Sequence, residues 1–177
     1  MKVLVLDTSA FIMGLDPQGL NLESYSVPEV TDELREQTGP SYRLTLSTSS
    51  GKLKIQSPTS LSLKEVHESS KLLGDTATLS KADASVLALA LDLRKEGKLP
   101  IIVSDDYAVQ NVAEGIEIAY QPLATFGIRH KFKWVYYCPA CFRRYAAGTV
   151  EFCRVCGTKL KRKPLREQVA KTRYARD

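Results

Sequence analysis

Histidine is almost absent: the 177 residues contain two, His67 and His130. The first stands in a polar helical stretch and the second in a basic linker, so nucleophile–histidine catalysis has no obvious seat. No glycine-rich loop of the Walker or dinucleotide type occurs. An aspartyl phosphatase would want a second aspartate two places after Asp7, where Ser9 stands. Long apolar runs are missing too. Lys2–Leu6 and Val86–Leu91 are the longest, far short of the roughly 18 residues of a membrane span. The chain opens directly on a strand-like run, without the charged, apolar and small-residue zones of a signal peptide. These absences lead us to expect a cytoplasmic protein with no membrane partner, its thiols kept reduced.

Acidic residues are scarce in the last third. Residues 121–177 carry 14 Lys/Arg and 3 Asp/Glu, a net of +11, whereas residues 1–120 carry 11 and 17, a net of −6. An acidic body with a basic arm points to a polyanionic partner for the arm. With 44% hydrophobic residues, a sizeable core is within reach and wholesale disorder is excluded.

The body reads as strands alternating with helices. Strands are expected at 2–6, 25–27, 53–56, 100–103 and 116–119. Helices are expected over 10–14, 28–37, 63–73, 80–96 and 107–113, and the Ser/Thr-rich stretch 41–51 reads as a mobile loop. Such alternation predicts an α/β fold, a parallel sheet flanked by helices, with the loops after the strands on one edge.

All the cysteine lies in one segment. Cys138 and Cys141 form one C-x-x-C pair, Cys153 and Cys156 another. Two such pairs bring four thiolates to one tetrahedral point, which suits a single structural Zn2+ with no open position for a reacting water. Disulfides or free buried thiols are the competing reading, disfavoured in a reducing compartment. Around the pairs lie Phe132, Trp134, Tyr136, Tyr137, Phe142, Tyr145 and Phe152, interleaved with Arg129, His130, Lys131, Lys133, Arg143, Arg144 and Arg154. Aromatics among basic residues suit unpaired bases and phosphates of RNA, although alternation in 132–136 also serves to bury one face of a strand. The tail from Lys159 to Arg176 is the denser phosphate-binding candidate.

Four acidic residues occupy awkward places. Asp7 ends the first buried strand. Glu33 borders the apolar positions Val30 and Leu34. Asp83 shares a helical stripe with Val86, Leu87 and Ala90. Asp106 opens a helix after the fourth strand, two residues past Ser104. A doubly wound sheet gathers such positions at the carboxyl ends of its strands, and a divalent cation, Mg2+ or Mn2+, would offset their repulsion. Such an ion activates water and stabilises charge on a phosphodiester. Each residue also has a plainer role: Asp7 as a cap, Glu33 as a solvated acid, Asp83 paired with Ser80 in a capping box, Asp106 in competition with Asp105.

The segments VLDTSAFI (4–11), PEVTDELRE (28–36), KADASVLALAL (81–91) and VSDDYAVQN (103–111) resemble the four acidic motifs of the PIN-domain ribonucleases. With the ribbon that follows, the chain is similar to the Nob family, endonucleases that mature the 3′ end of small-subunit ribosomal RNA. The resemblance spans residues 1–162. It implies a PIN-like nuclease domain at 1–122, a linker at 123–133, a zinc ribbon at 134–160 and a basic tail at 161–177. It also implies that Asp7, Glu33, Asp83 and Asp106 hold the catalytic Mg2+ or Mn2+ while the four cysteines hold zinc, and that the partners are precursor ribosomal RNA and other assembly factors. A non-catalytic RNA-binding assembly factor and a PIN toxin-type ribonuclease acting on transfer or messenger RNA remain as alternatives.

Overall fold

The computed structural model describes residues 1–73, 79–123, 130–145 and 150–168. Strand β1 (Lys2–Leu6) is a continuous apolar run, buried on both faces at Val3, Leu4, Val5 and Leu6, as a central parallel strand must be. It is flanked on one side by β2 (Glu23–Ser26) and β3 (Leu53–Ile55). On the other side lie β4 (Leu99–Val103) and β5 (Ala119–Gln121). The order β3-β2-β1-β4-β5 is parallel throughout. The chain therefore reverses its direction of winding between β1 and β4, which makes their carboxyl ends the switch point of the sheet.

Among the described residues, six α-helices cover the sheet: α1 (Thr8–Ile12), α2 (Pro28–Leu34), α3 (Thr38–Ser49), α4 (Ser60–Leu73), α5 (Lys81–Lys95) and α6 (Tyr107–Gly115). Helix α5 buries ten residues, from Ala82 to Leu93. A helix apolar nearly all round belongs in the interior, and α5 packs against α4, α6, β1 and β4. Its partner contact with α4 is clasped by buried Asp92. Asp92 Oδ2 accepts from the Thr59 amide at 2.7 Å, and Oδ1 from the hydroxyls of Thr59 (2.8 Å) and Ser62 (2.6 Å).

Several elements differ from the sequence expectation. Residues 41–51 are not a loop; most of them belong to α3. That helix gains its stability from tertiary bonds. Arg43 Nη2 donates to the Phe11 carbonyl at 2.5 Å, Gln18 Nε2 to the Leu46 carbonyl at 3.2 Å, and Leu44 and Ser47 are buried. Pro40 sits in its first turn, where no intrahelical N–H is needed. Correspondingly α2 ends at Leu34 rather than at Gln37. The second strand begins at Glu23 and ends at Ser26, just before Pro28 starts α2. The last strand of the sheet starts at Ala119 rather than Ile116, because Ile116–Ile118 close α6. Glu117 adopts φ 59°, the Ile118 amide donates back to the Ala113 carbonyl at 2.9 Å, and Arg94 Nη1 binds the Ile116 carbonyl at 2.8 Å. This is a left-handed helix ending.

A second, antiparallel sheet follows, in the order β7-β6-β8. It comprises β6 (His130–Tyr137), β7 (Arg144–Tyr145) and β8 (Lys161–Gln168). Residues 130–133, expected in the linker, and 161–168, expected in the tail, pair along their whole length, from His130↔Gln168 to Tyr137↔Lys161. Strand β6 also packs against α4 and α6. The expected end of the 63–73 helix at Gly74, and Lys171, Arg173 and Arg176 of the expected tail, lie outside the described residues.

Asp92 supplies the prediction for the fold. Burial pushes its carboxyl up, but the bonds from Ser62 and Thr59 outweigh this and hold it below its ordinary 3.8. A depressed folded pKa contributes stability that is present above the unfolded value and is lost as pH falls. Asp92→Asn should cost about 1–3 kcal/mol at neutral pH, the range for hydrogen bonds to a charged acceptor. The difference in melting temperature from wild type should shrink in acid below pH 3.8; a constant difference across the titration would contradict the assignment.

Candidate active site and metal centre

Asp7 follows β1 and caps α1. Its side chain is 3% exposed, and its Oδ1 accepts from the Thr8 amide at 2.7 Å. Its Oδ2 accepts from the hydroxyls of Ser104 at 2.7 Å and Ser9 at 3.0 Å. Asp106 caps α6 after β4, its Oδ1 accepting from the Ala108 amide at 2.6 Å. Asp83, in the first turn of α5, forms the capping box with Ser80: Ser80 N–H donates to Asp83 Oδ2 at 2.8 Å, and Asp83 N–H to Ser80 Oγ at 3.1 Å. The capping role foreseen for Asp83 is thus filled by one oxygen, and the charges of Asp7 and Asp106 reach the same carboxyl.

The acidic residues feel one another. Burial pushes Asp7 above its ordinary 3.8, and the charge of Asp106 adds to the rise against the opposing bonds from Ser104, Thr8 and Ser9. Burial also raises Asp83, with the charges of Asp7 and Asp106 contributing. Glu33 is exposed on α2 and enters through a contact from outside its own helix: the Thr8 hydroxyl donates to its Oε2 at 2.5 Å. Elements α1, α2, α5 and the β4–α6 turn therefore each deliver one carboxylate to the switch point. Asp83, Glu33 and Asp106 each use one carboxylate oxygen in the bonds named and keep the other, an all-oxygen donor set suited to a hard divalent cation.

The hydroxyls were not singled out from the sequence as site residues. Ser104 is fully buried; its Oγ donates to Asp7 and accepts from the Asp106 amide at 3.1 Å. Ser9 Oγ accepts from the Asp105 amide at 3.1 Å. Asp105 turns its carboxylate to the Leu123 amide at 3.1 Å, so it anchors the exit from β5. The legible signal was the run of small hydroxyl residues directly after two buried strands, DTS and VSDD.

The second centre is the cysteine cluster. All four Sγ atoms lie within 4.8 Å of one another. Cys138 and Cys156 stand 3.3 Å apart, Cys141 and Cys153 3.5 Å, and Cys141 and Cys156 3.8 Å. Tetrahedral thiolates at about 2.3 Å from a zinc ion are separated by about 3.8 Å, so the set fits one. No disulfide joins them. Tyr145 Oη, 3.1 Å from Cys153 Sγ, holds that thiol down to about 5, which favours the thiolate a metal requires. Among the described residues this is the one group of His, Cys, Asp or Glu side chains whose ligand atoms lie that close together; the carboxylates form a looser set.

Of the interleaved aromatic and basic residues, Phe142 and Phe152 are exposed, as are the side chains of Arg143, Arg144 and Arg154, while Tyr136, Tyr137 and Tyr145 are half-buried. The side chains of His130, Lys131, Phe132, Lys133 and Trp134, and all of Arg129, lie outside the described residues.

Comparison with known proteins agrees with this arrangement. A family profile described as the PIN domain of ribonuclease matches residues 4–93. The endoribonuclease Nob1 of Methanocaldococcus jannaschii is 37% identical over 174 residues, covering 98% of this chain and 83% of the relative. That of Pyrococcus abyssi is 37% identical over 170 residues, covering 93% and 96%. The ribonuclease VapC1 of Thermoplasma acidophilum is 31% identical over 160 residues, covering 90% and 77%.

Asp7 gives a test of the geometry that needs no substrate. A carboxyl whose folded pKa is raised contributes stability that is full below its unfolded value and lost as pH rises through the folded one. At neutral pH the ionised Asp7 is therefore held at a cost. Asp7→Asn, measured without added Mg2+ or Mn2+, should melt at the same or a higher temperature than wild type near neutrality. The advantage should vanish below pH 3.8. A variant that melts lower than wild type at neutral pH would show that the charge of Asp7 is not held at a cost.

Proposed function

This chain belongs to the Nob1 endoribonucleases, a PIN-domain family, and from that premise we propose that it cuts precursor small-subunit ribosomal RNA at its 3′ end during ribosome assembly. The observation that carries the reading is the meeting of Asp7, Asp83 and Asp106 at the switch point of the sheet, with Glu33 hooked in by Thr8.

Asp7, Glu33, Asp83 and Asp106 would hold Mg2+ or Mn2+; when bound, the cation supplies Lewis-acid activation of water and offsets charge on the phosphodiester. The protein contributes orientation. Ser9 and Ser104 fix the plane of the Asp7 carboxylate, and the capping bonds of Asp83 and Asp106 occupy one oxygen of each, so that the other would be available to a cation. Ser104 also links the ends of β1 and β4, so neither carboxylate moves without the other. An acidic centre repels RNA by itself, and the basic ribbon brings the phosphate chain to it.

The four cysteines would hold one Zn2+ as a structural ion. We assign residues 1–122 to the nuclease body and place the protein in the cytoplasm, where its thiols stay reduced and assembling ribosomal subunits and their other factors are met.

Two experiments test these assignments. Asparagine is as good an N-cap as aspartate, so Asp106→Asn should fold and bind RNA normally. Cleavage of RNA spanning the small-subunit 3′ end in Mn2+ should fall more than about a hundredfold, since even groups that only orient metal ligands cost about 10–100-fold. A folded variant that cuts at the wild-type rate would remove the acidic cluster from catalysis, and preference for transfer RNA over the ribosomal precursor would favour a toxin-type nuclease. For the ribbon, structural zinc contributes on the order of 10 kcal/mol to folding. Cys153→Ser should lose bound zinc and the β6–β7 ribbon fold while the parallel sheet persists; zinc-free wild type with an intact ribbon would overturn the assignment.

A further inference from the structure

The two cysteine knuckles share the same pair of closing backbone bonds. In the first, the Phe142 amide donates to the Cys138 carbonyl at 2.9 Å and the Cys138 amide to the Arg143 carbonyl at 2.9 Å. In the second, the Gly157 amide donates to the Cys153 carbonyl and the Cys153 amide to the Thr158 carbonyl, each at 2.9 Å. Each knuckle also aims an amide at its leading sulfur from 3.4 Å: Cys141 N–H at Cys138 Sγ, and Val155 N–H at Cys153 Sγ. This shared geometry forces the residue after each pair into the left-handed region, φ 70° at Gly157 and φ 59° at Phe142. Glycine is the residue that meets this demand without strain. A bulky side chain there is an outlier.

Phe142 obtains no burial in return. It is 75% exposed, the highest value among the large hydrophobics of the described residues. Neither folding nor the cysteine cluster explains an aromatic ring at this position, and strain of this kind is kept where the side chain serves a ligand. The next two residues, Arg143 and Arg144, are also exposed, and Arg144 opens β7. Arg154 joins the same end of the ribbon, since its amide donates to Tyr145 Oη at 3.2 Å, and Lys163 stands over the Tyr137 ring at 5.1 Å. A protruding ring beside a row of cations matches an unpaired base with its adjoining phosphates, because every base offers a π-face and a backbone charge. A protein partner would be met by burying apolar surface, whereas Phe142 is bordered by charge.

We infer that Phe142 is a stacking platform for one unpaired RNA base, with Arg143 and Arg144 taking the adjoining phosphates; the inference rests on the reading of the chain as a ribonuclease whose ribbon binds RNA.

The test uses the full chain, zinc-loaded and without added Mg2+ or Mn2+, with an unstructured oligouridylate and a fully paired RNA duplex as probes. Phe142→Gly restores the residue of the second knuckle, so bound zinc should be unchanged and the ribbon at least as stable. Affinity for the single strand should fall about tenfold, in the range for loss of one base stack, with the duplex affinity and the log–log salt slope unchanged. Phe142→Trp should restore single-strand binding. Arg143→Ala should instead make the slope shallower by about 0.7, the value for one phosphate on a single strand. Wild-type single-strand affinity in Phe142→Gly would overturn the stacking role and leave a protein partner for the ring. Equal losses on both probes would overturn it too, since a base in a duplex is not free to stack. If wild type binds neither probe, the RNA-binding reading of the ribbon itself fails along with the inference.

Discussion

Hydroxyl groups on Thr8, Ser9 and Ser104 hold the carboxylates of this protein together against their own repulsion. Ser104 is the centre of the arrangement. Its one oxygen donates to Asp7 and accepts from the Asp106 amide, so it fastens the end of β1 to the end of β4 across the switch point. Asp7 is pushed by burial toward its neutral form and drawn back by these bonds. An uncompensated buried charge would disrupt the sheet edge, whereas a fully neutral carboxyl would bind a cation poorly. The parallel topology supplies the convergence and the hydroxyls supply the orientation. The two helix caps, Asp83 and Asp106, bring further carboxylates at little cost to folding, because each does structural work with one oxygen.

The division of charge follows from the same chemistry. A centre built from carboxylates must be acidic, and the body carries a net −6 over residues 1–120. RNA does not approach such a surface unaided. The net +11 of residues 121–177 is the complement, and its ribbon sheet lies against α4 and α6 of the body through β6. Among the described residues, Cys138, Cys153 and Leu160 are the buried apolar residues of the ribbon, so the cysteines themselves make up most of that cluster.

Much of this was legible in the chain before any coordinates. The buried strands at 2–6 and 99–103, the long helix α5 and the cysteine pairs all carry short-range patterns that their own residues enforce: unbroken apolar runs, a capping Ser80, a two-residue spacing. What failed lay where distant partners decide. Helix α3 reads as a polar loop because its stabilising bonds come from Arg43 to Phe11 and from Gln18 to Leu46, neither visible in local periodicity. Strand β5 begins three residues late because Arg94, from another helix, secures the end of α6. Strand β8 reads as part of a basic, phosphate-binding tail because Lys and Arg dominate it, yet its backbone pairs with β6 along its length.

By itself, then, the sequence determined the parallel α/β class and the four-cysteine cluster, since each depends on residue type and short spacing. Only the tertiary structure decided that Ser9 and Ser104 orient Asp7, that Thr8 reaches Glu33, that Asp105 accepts from the Leu123 amide, and that Phe142 occupies a position its own knuckle geometry reserves for glycine. Hydrogen bonds between residues up to 97 apart leave no mark in a window of neighbouring residues; they exist only once the sheet has brought the strand ends together.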